Sequence, residues 1–344
     1  MKPVDVHSSL KTEVLGTHTR ALFNSAVERA VALLREGQVV ALPTETVYGL
    51  AANALDANAV GRIFEIKGRP ANNPIIIHVA SAEMARRHVK EWPALADKLA
   101  KAFWPGPLTL VLPRAKAIPD VVTAGGDTVG VRWPSHPFIQ EVIRACDFPL
   151  AAPSANLSNQ ISPTNAAHVA KQLDGKIPLI VDGGQAQVGI ESTVLDLTSK
   201  PPRLLRPGMI HEQALMAVTG QLTVGFGDSE EILKSPGQLK KHYAPKAKLI
   251  VLKWRDETDL KAQISAAAPR VSRPQVIAHT QIPSQEGFGG VSVIPHDAEA
   301  FARALYAELH RCDELGAELI VVEAPPETSE WRAIADRLKR ASSG

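Results

Sequence analysis

The chain of 344 residues has only two cysteines, Cys146 and Cys312, and they stand far apart. Isolated cysteines make neither a metal knuckle nor a CxxC redox pair, and a reducing cytoplasm is the expected setting. No apolar run approaches the roughly 18 residues of a membrane span. The N-terminal stretch MKPVDVHSSLKTEV lacks the apolar core of a signal peptide. An excess of one charge is missing too: 38 Lys and Arg face 36 Asp and Glu, for a net charge of +2. Whole-chain charge therefore neither favours nor excludes a nucleic-acid partner, and only a local basic cluster could do so.

Familiar site motifs are also missing. Without GxxxxGK[ST] the chain is not a P-loop ATPase. The glycine pairs at 225–227 (GFG) and 287–290 (GFGG) lack the third glycine and the strand–helix setting of a dinucleotide fingerprint. HExxH and GxSxG do not occur. Any nucleotide chemistry must use another device.

What is present is an ordinary globular composition, 45% hydrophobic and 22% charged, in a chain long enough for two domains. Phe23, Val27, Ala30, Val31 and Leu34 recur at helical spacing before Gly37, and VVALP (39–43) reads as a buried strand. Asp56 is placed to cap a helix carrying Ile63 and Ile66, and PIIIHV (74–79) follows as a strand. Further strand patterns are LTLVL (108–112), TVGVRW (128–133), LIVDGG (179–184), STVLDL (192–197) and RLLRP (203–207), while Pro163 is expected in the first turn of a helix. The expected fold class is α/β, with a first domain over 1–220 built on one central sheet. From 221 to 247 the apolar periodicity lapses into Gly, Pro, Lys and Ser, as in a linker. From 248 to 344, KLIVLKW, PQVIAH, VSVIPH and ELIVVEAP alternate with helical patterns, giving a smaller Rossmann- or flavodoxin-like α/β domain.

Polar residues interrupt the apolar pattern at strand ends, where α/β proteins place ligands. PTETVYGL (43–50) supplies Thr44, Glu45, Thr46 and Tyr48; KGRPANNP (67–74) supplies Lys67 and Arg69. APSANLS (152–158) supplies Ser154 and Asn156, and GIESTV (189–194) supplies Ser192 and Thr193. Arg132 ends one strand and Arg206 another. Taken singly, each has a plain structural account. Lys67 and Arg69 would complement a helix C-terminus, SAN and PTET would make turns or caps, the arginines would be solvated strand ends, and His78 a satisfied core histidine. Together, Lys67, Arg69 and Arg206 with Ser154, Asn156 and Thr128 suit the charge of a triphosphate, with arginine gripping oxyanions through paired hydrogen bonds.

In order along the chain, ALPTETVYGLAANA, IFEIKGRPANNPIIIHV, FWPGPLTLVL, DTVGVRWPSHP, LAAPSANLSNQISPT, VDGG with GIESTV, and LLRPG resemble the YrdC/Sua5 family of threonylcarbamoyl-AMP synthases. KxR followed much later by SxN, here Lys67, Arg69, Ser154 and Asn156, is that family's signature. KKHYAPKAKL and the α/β unit after it resemble the longer, two-domain Sua5 form.

The resemblance implies a YrdC-like twisted mixed sheet and a specific reaction. L-threonine and bicarbonate (or carbon dioxide) would give N-carboxythreonine, whose carboxylate attacks the α-phosphorus of ATP to release pyrophosphate and leave threonylcarbamoyl-AMP. A downstream threonylcarbamoyl transferase would carry the group to adenosine 37 of tRNA, so this enzyme need not hold tRNA. Lys67 and Arg69 would be catalytic; with Thr128, Ser154, Asn156, Arg206, His242 and Tyr243 they would bind ATP. Thr44, His78, Arg132 and Ser192 would bind threonine, Arg132 facing its carboxylate. Mg²⁺ would be held mainly by phosphates and water. His242 and Tyr243, in a basic stretch with Lys240, Lys241 and Lys246, would close as a lid over the nucleotide. Three other readings remain: a double-stranded RNA-binding or ribosome-associated protein using the same basic surface; a carbamoyl-transfer module like that of hydrogenase maturation proteins, against which the lack of cysteine-rich zinc motifs argues; and a regulatory binder of threonine or nucleotide, for which the phosphate-binding set would be oversized.

Overall fold

The computed structural model describes residues 11–225 and 243–343. The first part contains β1 (Glu13–Gly16), α1 (Arg20–Arg35), β2 (Val40–Leu42), β3 (Gly49–Asn53), α2 (Ala57–Lys67), β4 (Ile77–His78), α3 (Ala82–Arg87), α4 (Ala94–Phe103) and β5 (Leu108–Pro113). It continues with α5 (Asp120–Thr123), β6 (Thr128–Arg132), α6 (Pro137–Cys146), β7 (Leu150–Ala151), α7 (Ala166–Leu173), β8 (Leu179–Asp182), β9 (Thr193–Asp196), β10 (Arg203–Arg206), α8 (Glu212–Thr219) and β11 (Thr223–Val224). The second part contains β12 (Lys248–Leu252), α9 (Glu257–Ala267), β13 (Gln275–Ala278), β14 (Gly290–Val293), α10 (Ala298–Glu314), β15 (Leu319–Glu323) and α11 (Arg332–Ala341).

The first part forms an 11-stranded mixed sheet in the order β1-β8-β2-β3-β7-β4-β6-β5-β9-β10-β11. The second forms a 4-stranded, wholly parallel sheet, β12-β15-β13-β14, in which α9 joins β12 to β13, α10 joins β14 to β15, and a loop over 279–289 joins β13 to β14. The expected mixed and parallel α/β sheets are both present. None of the helices among the described residues is long and apolar enough to cross a membrane.

Local chemistry fixes the elements that carry the site. Asp56 caps α2 as expected, accepting from the Asn58 and Ala59 amides at 2.9 and 3.3 Å. Gly68, left-handed at φ +59°, ends that helix. This stop places Lys67 in the last turn and Arg69 just beyond it. Pro163 differs from expectation. Helix α7 begins at Ala166 behind an Asn165 cap, and the Pro163 carbonyl instead accepts from the Tyr48 amide at 2.9 Å. The capping side chain of Asn165, bonded to the His168 amide at 2.9 Å, explains the later start.

Four apolar clusters result among the described residues, and one of them is shared between the sheets. Phe301, Ala302, Leu305 and Leu309 of α10 pack with Val47, Ile161 and Ile190 from loops of the first sheet. Polar contacts follow the same seam: Arg303 Nε donates to the Gln187 carbonyl at 2.7 Å, and the His168 and His310 rings stack at 3.9 Å. The four-stranded unit is thus docked through α10 on the loops that build the site.

Candidate active site

One cleft, enclosing about 550 Å³ including its mouth, is lined by Thr44, Arg69, His78, Arg132, Ser154, Ser192, Arg206 and Tyr243 together with Thr46 and Glu191. Eight residues expected from the sequence therefore meet in one place. They come from eight different stretches of chain, brought together because central strands of the large sheet are adjacent. His78 and Arg132 are direct register partners on β4 and β6. The Ser154 loop is stitched to the start of β3 by an antiparallel bridge to Gly49, with the Leu50 amide donating to the Pro153 carbonyl at 2.7 Å.

Three arginines dominate the wall, all buried. Arg69 is braced by Nε to the Asn73 carbonyl at 3.0 Å and Nη2 to the Pro74 carbonyl at 2.7 Å. Burial presses its pKa down to about 9, with Tyr243 opposing and Arg206 assisting, so it stays charged at neutral pH. Arg206 donates to the Ser192 carbonyl at 3.0 Å and its Oγ at 3.1 Å. Arg132 donates by Nη1 to Thr46 Oγ1 at 3.0 Å and by Nε to the Gly106 carbonyl at 3.3 Å. Its Nη2 lies 2.8 Å from Glu45 Oε1 in a buried ion pair. His78 is held neutral, its pKa lowered to about 3 by burial and by Arg132.

Thr44 lines the cleft, but its hydroxyl also closes a turn, donating to the Val47 carbonyl at 2.6 Å and accepting from the Thr46 amide at 3.2 Å. Ser192 Oγ shares a hydrogen bond with Thr109 at 2.8 Å.

Other expected residues are placed differently. Lys67 lies behind the wall: its Nζ donates to the carbonyls of Ser154 at 2.6 Å and Asn156 at 2.5 Å, with Asn156 Oδ1 at 3.3 Å. Three acceptors match the three donors of an ammonium, although burial and then Arg69 press its pKa well down. Asn156 Nδ2 turns to the Leu157 and Gln160 carbonyls at 3.0 and 2.8 Å. Lys67 and Asn156 therefore shape the loop that presents Ser154. Thr128 is not brought to the cleft. It starts β6 and pairs with Pro113, four residues and about 13 Å along the strand from Arg132. His242, Lys240 and Lys241 lie outside the described residues, as does most of the expected linker.

Glu191 is the residue that sequence reasoning passed over. Among the described residues it is the only carboxylate lining the cleft, and its partners are remote in sequence. Its Oε1 accepts from Ser162 Oγ at 2.6 Å, and its Oε2 accepts from Tyr306 Oη at 3.1 Å and Arg337 Nε at 2.7 Å. Burial would raise its pKa, yet Arg337, Arg206 and these hydrogen bonds hold it below its ordinary value. The signal lay within GIESTV, but only a contact 146 residues away gives it meaning.

Three buried guanidiniums around a concave wall with hydroxyls suit a compact polyanion. They do not suit an RNA duplex, which needs exposed cations along a surface: Lys67, Arg69, Arg132 and Arg206 are 3 to 8% exposed.

Comparisons with known proteins agree with this geometry. A family model described as "Telomere recombination" matches residues 32–208, and one described as "Threonylcarbamoyl-AMP synthase, C-terminal domain" matches 209–343. A curated threonylcarbamoyl-AMP synthase of Pyrococcus abyssi is 45% identical over 319 residues, covering 91% of this chain and 93% of that protein. One from Bacillus subtilis is 40% identical over 92% of this chain and 93% of its own length. The crystal structure of P. abyssi Sua5 complexed with L-threonine superposes with a TM-score of 0.89 at 42% identity, covering 96% of this chain and 98% of that one.

Proposed function

The chain belongs to the family of threonylcarbamoyl-AMP synthases, with both of its domains matched, and from that premise we infer that it makes threonylcarbamoyl-AMP from L-threonine, bicarbonate and ATP. Threonine's amine takes up the one-carbon unit, and the resulting carboxylate attacks the α-phosphorus. Pyrophosphate departs, with one water released overall. The observation that carries this reading is the cluster of Arg69, Arg132 and Arg206 around one buried cleft.

The chemistry asks little of a general base, because the attacking carboxylate is already ionised. Positioning and charge neutralisation do the work. Arg132 Nη2 is the donor for the amino-acid carboxylate, beside a neutral His78 that adds no competing charge. Arg69 and Arg206 face the phosphates, Ser154 adds a hydroxyl, and Lys67 holds the Ser154 loop. Mg²⁺ would enter with ATP as part of that substrate, held mainly by phosphate oxygens and water. The product would supply a transferase that modifies adenosine 37 of tRNA, a cytoplasmic role that does not require this enzyme to bind tRNA.

Isotope labelling tests the reading. With [¹³C]bicarbonate, threonine and MgATP, the enzyme should yield an adenylate carrying one ¹³C, with stoichiometric pyrophosphate. An unlabelled threonyl adenylate would show that threonine's own carboxylate attacks and would overturn it.

A further inference from the structure

Arg337, on α11 near the end of the chain, is the largest side chain among the fully buried ones described, and it reaches the wall of the catalytic cleft from the other domain. Besides the 2.7 Å contact to Glu191 Oε2, its Nη2 donates to the Pro207 carbonyl at 3.1 Å and its Nη1 pairs with Asp336 at 2.8 Å. Its guanidinium sits 5.3 Å from the ring centroid of Tyr243, and that ring stacks on Tyr306 of α10 at 5.8 Å. Glu191 and Tyr243 both line the cleft. Glu191 directly precedes Ser192, which holds Arg206.

Docking alone does not call for such a pair. Phe301, Ala302, Leu305 and Leu309 already bury an apolar seam against Val47, Ile161 and Ile190. Removing two ions from water is costly, and well-packed apolar residues of like volume generally serve stability as well. A buried pair in addition to that seam fixes geometry and charge. The charge matters here, because Glu191 is a carboxylate in the wall of a site for anions. Unpaired, it would repel phosphate and amino-acid carboxylate and would compete for Arg206.

We propose that Arg337 is a positioning residue for the reaction, neutralising Glu191 and holding it with Tyr243 in the cleft wall, so that the C-terminal domain completes the substrate site. The proposal rests on the synthase reading for its kinetics, but its binding test does not. Two measurements on the full chain decide it: threonine affinity by calorimetry, and KM and kcat for ATP by pyrophosphate release, each with denaturant stability measured in parallel.

Arg337→Met should weaken threonine binding and raise the KM for ATP by about tenfold or more, with a smaller change in kcat. Adding Glu191→Gln to it should recover most of that loss, since the uncompensated charge is gone. Arg337→Lys, which keeps the charge but not the fork, should fall between. A folded Arg337→Met with wild-type affinity and KM, altered only in stability, would overturn the proposal. So would a double variant no better than the single one. If Arg337→Met does not fold, Arg337→Lys decides: unchanged affinity and KM refute the positioning role. If wild type binds threonine yet makes no adenylate, the synthase reading fails while the threonine affinities of the same variants still judge Arg337.

Discussion

Gly189 gives a direct test of how closely the second domain presses on the site. It has a φ of +81°, and a Cβ built on it would lie 2.5 Å from both the Ala302 carbonyl oxygen and the Arg303 Cα of α10. Those are backbone atoms of a 17-residue helix and cannot rotate aside. Restoring an ordinary 3.4 Å contact from 2.5 Å requires the 189 loop and α10 to part by roughly 0.9 Å. Gly189→Ala therefore carries about 1–2 kcal/mol of left-handed backbone strain and about 1–3 kcal/mol of overpacking, or about 2–5 kcal/mol together. Gly316 is the control. Its φ of +70° is similar, but nothing lies within 4 Å of its Cβ, so Gly316→Ala carries the strain alone. Urea denaturation of both variants separates the two effects. Because Glu191 follows two residues after Gly189, a shift of this size should also lower activity on the order of 100-fold, as misplacement by about 1 Å can. Gly189→Ala with the stability of Gly316→Ala and wild-type turnover would refute the described docking of α10 on the site.

Three further outcomes are expected. Arg132→Met should weaken threonine binding by about 1.5–3 kcal/mol, the value of a hydrogen bond to a charged group; adding Glu45→Gln should restore stability, by removing the stranded carboxylate, but not affinity. Calorimetry and melting of the two proteins check this. Lys67→Met, which unties the Ser154 loop, should lower kcat/KM at least about 100-fold, since its two close contacts are charge-assisted hydrogen bonds of about 1.5–3 kcal/mol each; a wild-type kcat/KM would contradict the role given to Lys67. His78, with a pKa held near 3 against an ordinary 6.5, excludes a proton that the unfolded chain accepts. Its contribution is thus complete above about pH 6.5 and declines as pH falls toward 3, amounting to about 2 kcal/mol of lost stability by pH 5. His78→Asn should flatten the stability profile between pH 6.5 and 5, and an unchanged slope would show that burial does not hold the ring neutral.

The residues that proved legible in sequence were those whose strand and neighbours are local. Arg132 and Arg206 end apolar runs, Ser154 follows another, and Asp56 caps the helix that delivers Lys67 and Arg69; all were found where strand ends and that cap were expected. Strand β3 was missed because GLAAN has neither alternation nor β-branched side chains, and it exists through pairing with β2 and β7. Thr128 shares a strand with Arg132 but faces the far end, a distinction that motif order does not carry. Pro163 illustrates the same limit at a helix start, where the better cap two residues later prevails. Lys67 was identified without its orientation. Only the fold shows that its ammonium is turned onto the Ser154 loop. Glu191 was unreadable for a deeper reason, since Tyr306 and Arg337 come from a domain that the sequence separates from it by over a hundred residues.

Pyrophosphate release from MgATP, measured with threonine and bicarbonate each supplied or omitted, tests the central claim most directly. Release that requires both, and that collapses in Arg206→Ala while the protein stays folded, is the predicted result. Release at full rate without threonine or without bicarbonate, or none under any condition from folded protein, would contradict the assignment.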